Sequence, residues 1–187
     1  MTGTDNPVPR PAGRARRAAV VALLRAEPGP LAGDALADHF GISRQAIVHD
    51  IAVLRAEGVP VVATVRGYLL ARESDRLPYR AVVAVRHTPD QTVDELMAMV
   101  DLGVRVRDVV VQHPVYGEIR GALELGSPAD VRQWAESTRL TGARFLSELT
   151  EGVHLHTLEA ASEADLAAAR RALVDRGYLL EGEDPTP

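Results

Sequence analysis

Two histidines separated by one residue, His154 and His156, are the feature of this sequence best suited to chemistry. Alternate residues of a β-strand point to the same face of a sheet, so on a strand these two imidazoles would form half of a metal site. His87, Glu95 and His113 are the candidates to complete it. Because the chain has no cysteine, any metal must be bound by histidines and carboxylates.

The composition sets broad limits on the architecture and the partners. The 187 residues, 46% of them hydrophobic, suffice for one large domain or two small ones with their own cores. Residues 1–80 carry 11 arginines against 8 acidic residues, whereas residues 81–187 carry 10 against 18. A basic first part joined to an acidic second part favours an anionic partner for the first part.

The N-terminal segment lacks the pattern of a secretory signal or a membrane anchor. An apolar run over residues 18–24 follows several arginines, but Arg25 ends it too early, and no stretch of transmembrane length occurs elsewhere. Residues 6–13 are rich in proline and are expected to be disordered. We therefore expect a cytoplasmic protein.

Residues 14–72 have the pattern of a winged helix-turn-helix, in which three short helices precede a hairpin. Gly41 allows the sharp turn after the second helix, and Ser43 caps the third. The predicted elements are helices over 14–26 and 31–40, a third helix after Ser43 with a buried stripe of Ile47, Ile51 and Leu54, and strands over 61–64 and 67–70.

The opposite face of the third helix is suited to DNA. Arg44 and Gln45 lie at its N-terminal end, where a recognition helix meets base edges in the major groove. Arginines of the first helix and of the hairpin tip are candidates for phosphate contacts. The alternative is a helical packing module with a solvated arginine face, but the agreement of turn, cap, face and hairpin favours DNA binding. The candidate DNA-binding residues are Ser43, Arg44, Gln45, His49, Arg66, Arg14, Arg16 and Arg17.

The rest of the chain predicts an α+β domain with the order βαββαβ followed by a helix, which is the ferredoxin-like layout. Serine or threonine caps mark the helix starts. In such a sheet the strand order is usually 4-1-3-2. The predicted strands cover 80–86, 108–112, 116–123 and 152–158, and the predicted helices cover 89–102, 128–138 and 163–175.

This topology has a consequence for the histidines. The first two strands run one way and the last two run the other way, so the ends of the first pair lie beside the starts of the second pair. His87, His113 and His154 should therefore gather at one edge of the sheet, and Glu95 lies on the helix that leaves that edge. Three imidazoles and one carboxylate, from His87, Glu95, His154 and His156, suit a divalent ion such as Zn, Ni, Fe or Co.

We expect the chain to consist of two folded domains with short flanking segments. These are a disordered N-terminus (1–13), the winged helix-turn-helix (14–72), a linker (73–79), a metal- and ligand-binding regulatory domain (80–180) and a disordered tail (181–187).

Together these segments resemble the niacin-responsive transcriptional repressors of NAD biosynthesis, which join a winged helix-turn-helix to a 3H domain named for its histidines. The resemblance spans about residues 14–176. It is carried by the following segments: Ser43 to Val48 with Asp50 and Ile51, Arg66-Gly67-Tyr68, His87-Thr88, Glu95-Leu96, His113 to Glu118, and Gly152 to Thr157.

The resemblance implies a regulator and not an enzyme. It implies that His87, Glu95, His154 and His156 bind a divalent metal and that nicotinic acid is the corepressor in the 3H domain. A pyridine carboxylate could occupy an open metal position, with His113 or Arg120 meeting its carboxylate. A homodimer is expected, because one winged helix contacts only half of an operator.

Two other functions remain open from the residues alone. A metal-dependent hydrolase would use the open metal position to activate water, with Asp94 or Glu118 as the candidate base. A metal-responsive regulator would use the ion itself as the signal.

Overall fold

A computed structural model describes residues 13–72 and 76–180, which form two compact units that divide after Arg72. The predicted disordered tail, residues 1–12 of the predicted disordered start and residues 73–75 of the predicted linker lie outside the described residues. Of the described residues in those segments, two belong to regular elements: Gly13 begins the first helix, and Tyr79 begins the first strand of the second unit. None of the helices in the described ranges is long and apolar enough to cross a membrane.

The first unit consists of three helices and a two-stranded hairpin, as predicted. Its core is formed by apolar residues from each helix, including Val20, Leu36, Ile47 and Ile51, all at most 3% exposed. The elements are α1 (Gly13–Ala26), α2 (Gly33–Phe40), α3 (Arg44–Ala56), β1 (Val61–Thr64) and β2 (Gly67–Leu70).

The turn between α2 and α3 follows the predicted chemistry. Gly41 has a φ of 61°, in the left-handed region that a residue with a Cβ disfavours. Ser43 precedes α3, and its Oγ accepts a hydrogen bond of 3.2 Å from the backbone N–H of Ala46. This cap fixes the start of α3, so the first residues of that helix are well placed.

The hairpin is attached to the segment before α2. Leu31 and Tyr68 exchange backbone hydrogen bonds of 2.8 Å, so α2 begins at Gly33 and not at residue 31 as predicted. Gly67 has a φ of 131°, and a Cβ there would lie 2.1 Å from the carbonyl oxygen of Leu31. Glycine is therefore required at the start of β2, next to the turn of the hairpin.

Within residues 76–180, the second unit has four strands, three α-helices and two short 3-10 helices. The predicted order of elements is confirmed, although most strands extend further than the sequence indicated and the second 3-10 helix was not predicted. The elements are β3 (Tyr79–Arg86), a 3-10 turn (Pro89–Gln91), α4 (Thr92–Val100), β4 (Arg105–His113), β5 (Gly117–Leu125), α5 (Pro128–Thr141), a second 3-10 helix (Leu146–Thr150), β6 (Val153–Ala160) and α6 (Glu163–Asp175).

The order of the strands differs from the expected 4-1-3-2. The sheet runs β3-β6-β4-β5, which is 1-4-2-3, with every neighbouring pair antiparallel. The predicted strand directions are therefore correct, but the positions are wrong. Burial gives the reason: most residues of β6 are buried and suit the interior of a sheet, whereas half of β3 is exposed and suits an edge.

This order places the His-x-His strand between β3 and β4. The side chains of Val83, Val85 and Leu158 lie on one face of the sheet, where they pack with Leu96 and Met99 of α4 in the main core. The histidines of β6 share this face, because His154 pairs with Val85 and His156 pairs with Val83. They therefore lie beneath α4.

Candidate metal centre and nucleic-acid interface

Four predicted ligands meet at the buried interface of the sheet and α4. His154 and His156 lie on β6, His87 follows the last residue of β3, and Glu95 lies in the first turn of α4. All four side chains are buried: the exposed fraction is 3% for His154, 2% for His156, 6% for His87 and 0% for Glu95. The sequence therefore identified a real cluster, although the centre of the sheet contributes two of its members.

The Glu95 carboxylate lies at the centre of the cluster. Its Oε2 is 3.2 Å from Nε2 of His87, and its Oε1 is 3.2 Å from Nε2 of His156 and 3.9 Å from Nε2 of His154. The Nε2 atoms of His154 and His156 are 3.1 Å apart. One cation could be reached by His87, Glu95 and His154, whose candidate ligand atoms all lie within 4.8 Å of one another.

All three histidines are oriented in the same way by the backbone. Nδ1 of His87 lies 2.8 Å from the carbonyl oxygen of Thr88, and Nδ1 of His154 lies 2.8 Å from that of Gly152. Nδ1 of His156 lies 2.6 Å from the carbonyl oxygen of Asp108. A carbonyl can only accept, so each Nδ1 carries the proton and each neutral ring directs the Nε2 lone pair into the cluster.

The protonation of the cluster follows from these contacts. Burial opposes the charged form of Glu95, but the nearby His156 and the close approach of the other two imidazoles hold the pKa of that carboxyl well below its usual range. Burial also opposes the charged form of His87 and His156, but Glu95 raises the pKa of both rings above the usual value. The cluster therefore favours an anionic Glu95 balanced by positive charge.

The donor set fits a divalent metal. Among the described residues, Nε2 of His87 and both Glu95 oxygens are buried without a hydrogen-bond partner. A histidine that binds a metal commonly donates its other N–H to a backbone carbonyl, which is the arrangement of all three rings here. Three imidazole nitrogens and one carboxylate are the ligands that Zn, Ni, Fe and Co accept.

Gly152 brings the start of β6 against His87. It has a φ of 89°, and a Cβ there would lie 2.3 Å from the carbonyl oxygen of His87. Its own carbonyl orients His154. The sequence signal was available, since a glycine two residues before His154 indicates a close approach of the backbone.

His113 has the opposite tautomer and does not belong to the ligand cluster. Its Nδ1 accepts hydrogen bonds from the backbone N–H groups of Val115 and Tyr116, at 3.2 and 3.3 Å. In the neutral ring the proton is therefore on Nε2, which is a donor. Val109 pairs with His156, and His113 lies four residues further along β4, so its side chain is on the same face as the histidine cluster.

Arg120 does not lie with the histidines, contrary to our expectation for an effector site. Val110 pairs with Arg120 on one side and with Leu155 on the other, whereas the adjacent Val109 pairs with His156. Successive residues point to opposite faces, so the side chains of Arg120 and His156 are on opposite faces of the sheet.

Asp108, which sequence reasoning missed, accounts for the position of Arg120. Its carboxylate forms an ion pair with Arg120 and accepts a hydrogen bond of 3.1 Å from the backbone N–H of Thr157. Its carbonyl orients His156. No residue pattern signals a ligand held by a main-chain carbonyl, so only the structure could reveal this role.

The two candidate bases are engaged or exposed. The Asp94 carboxylate accepts a hydrogen bond of 2.9 Å from the Tyr178 hydroxyl and lies 3.2 Å from Nε of Arg176. Glu118 is exposed on β5 and lies 3.3 Å from Nε2 of Gln112. Neither carboxylate is placed as a base within the histidine cluster.

The first unit presents the predicted face of α3 to solvent. Arg44, Gln45, Val48 and His49 are exposed, whereas Ile47 is buried between them. Arg44 lies 3.3 Å from Asp34, but both side chains are more than half exposed, so this ion pair is easily exchanged for another anion. Ser43 serves as the helix cap.

The other four arginines that were predicted to contact DNA form two groups. Arg16 donates from Nε to Asp50 at 2.6 Å and from Nη2 at 3.3 Å, and Asp50 is 1% exposed. Arg17 lies 3.9 Å from the same carboxylate. Arg16 and Arg17 therefore join α1 to α3, in contrast to their predicted role at phosphates. Arg14 is exposed, and Arg66 lies in the two-residue turn of the hairpin, as predicted.

Comparisons with known proteins agree with this architecture. A helix-turn-helix domain model matches residues 16–69, and the 3H domain model matches residues 80–182. The chain is 39% identical over 171 residues to the transcription repressor NadR of Bacillus subtilis, and this aligned region covers 90% of this chain and 95% of that protein. It is 40% identical over 166 residues to the probable transcription repressor NiaR of Thermotoga maritima, which covers 89% and 94%.

The relatives are named as repressors, and the domains match the two units of the structure. A regulator is therefore indicated, and the hydrolase alternative is set aside. The chain belongs to the family of DNA-binding transcription repressors that join a helix-turn-helix domain to a 3H domain.

Proposed function

We propose that this protein represses genes of NAD biosynthesis or niacin uptake, with nicotinic acid as corepressor and a divalent metal in its 3H domain. The observation that carries this proposal is the buried cluster of three imidazoles around Glu95, with every Nδ1 engaged by a backbone carbonyl. The repressor relatives supply the context in which such a centre serves regulation.

The metal is held by His87, Glu95, His154 and His156. When bound, the ion supplies a Lewis-acidic position that can accept a pyridine nitrogen or a carboxylate oxygen. The burial of all four side chains suits an ion that stays bound through cycles of repression. We therefore favour a resident metal over the alternative in which the ion is the signal.

His113 is the proposed contact for the carboxylate of nicotinic acid. Two backbone N–H groups fix its Nδ1 as an acceptor, so the neutral ring offers Nε2–H to a ligand. The side chain is on the same sheet face as the metal cluster. Arg120, which is paired with Asp108 on the other face, is withdrawn from the effector site.

Repression requires a specific contact with operator DNA. Arg44 and Gln45 contact base edges from the exposed N-terminal end of α3, His49 lies on the same exposed face, and Arg14 and Arg66 contact phosphates. A cytoplasmic homodimer presents two such helices to two half-sites. Nicotinic acid favours the arrangement that fits the operator because it binds that arrangement more tightly.

Calorimetric titration of nicotinic acid tests the effector and the metal together. Protein loaded with Ni²⁺ or Zn²⁺ should bind nicotinic acid, and protein stripped by a chelator should bind it at least tenfold more weakly. Nicotinamide and benzoic acid separate the contribution of the carboxylate from that of the ring nitrogen. Equal affinity of the loaded and stripped proteins would contradict a metal-anchored effector.

A further inference from the structure

The segment that follows α6 returns to the metal cluster through a defined turn. Gly177 has a φ of 72°, its N–H donates to the carbonyl of Val174, and the N–H of Tyr178 donates to the carbonyl of Leu173. These two bonds form a Schellman motif, which ends a helix and fixes the direction of the chain beyond it. The position of Tyr178 is therefore set by the end of α6.

The same segment is bound to the outer edge of β3. The N–H of Arg86 donates to the carbonyl of Tyr178 at 2.8 Å, and the N–H of Leu180 donates to the carbonyl of Ala84 at 2.9 Å. Val85 and Leu179 are bridge partners. Residues 178–180 thus cover part of a strand edge immediately before His87, at a point where the sheet would otherwise present unpaired backbone groups.

The Tyr178 side chain contacts both elements that supply the outer ligands. Its ring lies 5.4 Å from the ring of His87 at an angle of 62°, and the ring of His154 lies 4.9 Å from that of His87. Its hydroxyl donates to Asp94, the residue before Glu95. Both rings of the Tyr178–His87 contact are largely buried, since Tyr178 is 7% and His87 is 6% exposed.

We propose that Tyr178 is a positioning residue of the metal centre, which fixes the His87 ring and closes the site against exchange with solvent. This inference rests on the metal proposed above. His87 follows an edge strand, and the carbonyl that orients its Nδ1 belongs to the adjacent residue Thr88, so the Tyr178 ring adds a second constraint on the imidazole. His154 and His156 lie on a central strand. Loss of the ring therefore frees His87 first, and loss of the hydroxyl frees the start of α4.

The test is the rate at which the full-length protein, loaded with Zn²⁺, releases the ion to an excess of a chromogenic chelator. Tyr178→Ala should release Zn²⁺ about tenfold faster than wild type, in the range known for residues that orient metal ligands. Tyr178→Phe keeps the ring and should release it only a few-fold faster. The visible spectrum of the Co²⁺-loaded Tyr178→Ala protein should also change, because the geometry at His87 changes.

Phe145→Ala is the matched control. Phe145 stacks on Trp134 at 5.5 Å in the same domain, so its loss also removes an aromatic contact, but within the described ranges that pair makes no ring contact with the histidines of the cluster. This variant should melt at a lower temperature and release Zn²⁺ at the wild-type rate. A Tyr178→Ala rate within twofold of wild type, or an equal acceleration in Phe145→Ala, would overturn the inference. A wild-type protein that retains no Zn²⁺ would instead overturn the metal centre itself.

Discussion

The Nε2 atoms of His154 and His156 lie 3.1 Å apart, while the Nδ1 atom of each ring is bound to a backbone carbonyl. In the neutral form both rings would direct lone pairs at each other. This arrangement is stable only with positive charge at the shared position, from a proton on one ring or from a metal ion. We therefore expect the folding of this domain to be coupled to protonation of the pair or to metal binding.

Removal of the metal should destabilise the second unit. At a free Zn²⁺ concentration one hundred times the dissociation constant, binding contributes about 2.7 kcal/mol, which corresponds to a shift of about 10 °C in Tm for a domain of this size. A chelator should abolish the shift, and His154→Ala should remove it. Differential scanning calorimetry measures both.

His39→Ala is the control for that experiment, because His39 is an exposed histidine of the first unit. It should show the full Zn²⁺-dependent shift. If His154→Ala also shows the full shift, the ion is bound elsewhere.

The effector contact is tested by a pair of substitutions on opposite faces of the sheet. His113→Ala should weaken nicotinic acid binding about tenfold, the loss expected for one hydrogen bond to a charged group. Arg120→Ala should leave that affinity unchanged, because its ion pair with Asp108 lies on the face away from the cluster. Titration calorimetry on the Zn²⁺-loaded proteins separates the two, and the reverse result would return Arg120 to the effector site.

Much of this architecture could be predicted because the signals are local. The Ser43 cap, the glycine turn before it and the histidine spacing on β6 each have a local physical cause, and each is found in the structure as predicted. The four-ligand cluster was expected from the directions of the strands, the alternation of side chains along β6 and the helix that carries Glu95, and a change of strand order alters none of these. The prediction that these four side chains converge therefore did not depend on the correct strand order.

The remaining features depend on contacts between distant segments. The position of β6 in the sheet is decided by how completely each strand is buried, which periodicity does not reveal. The sequence around Arg16 does not distinguish it from an exposed arginine, but its side chain donates a hydrogen bond to Asp50, which lies 34 positions away. The role of the Asp108 carbonyl toward His156 involves the main chain, so no side-chain pattern indicates it.

The two proposed kinds of DNA contact should respond differently to substitution. Arg44→Ala should cost about 1 to 3 kcal/mol of operator affinity and relax specificity at one base position. Arg66→Ala should weaken binding to all sequences and lower the slope of log K against log salt by about one. Fluorescence anisotropy over a salt series distinguishes them. Arg25→Ala, an exposed position in the last turn of α1, is the control and should change neither.

The buried ion pair of the first unit should contribute to stability. Asp50→Ala removes the buried carboxylate that accepts two hydrogen bonds from Arg16, and we expect a loss of about 2 kcal/mol in the free energy of unfolding. Asp34→Ala removes the exposed pair with Arg44 and should change stability by less than about 0.5 kcal/mol. Urea unfolding of both variants compares them. Equal losses would mean that burial of Asp50 does not strengthen its pair.

The central claim is that metal and nicotinic acid act together on DNA binding. It is tested most directly by anisotropy measurements on an operator selected from random DNA with the loaded protein, at fixed salt, with and without each component. Tight binding is expected only when Zn²⁺ or Ni²⁺ and nicotinic acid are both present, and the metal-stripped protein should lose the nicotinic acid effect. Operator affinity that is the same in all four conditions would contradict it.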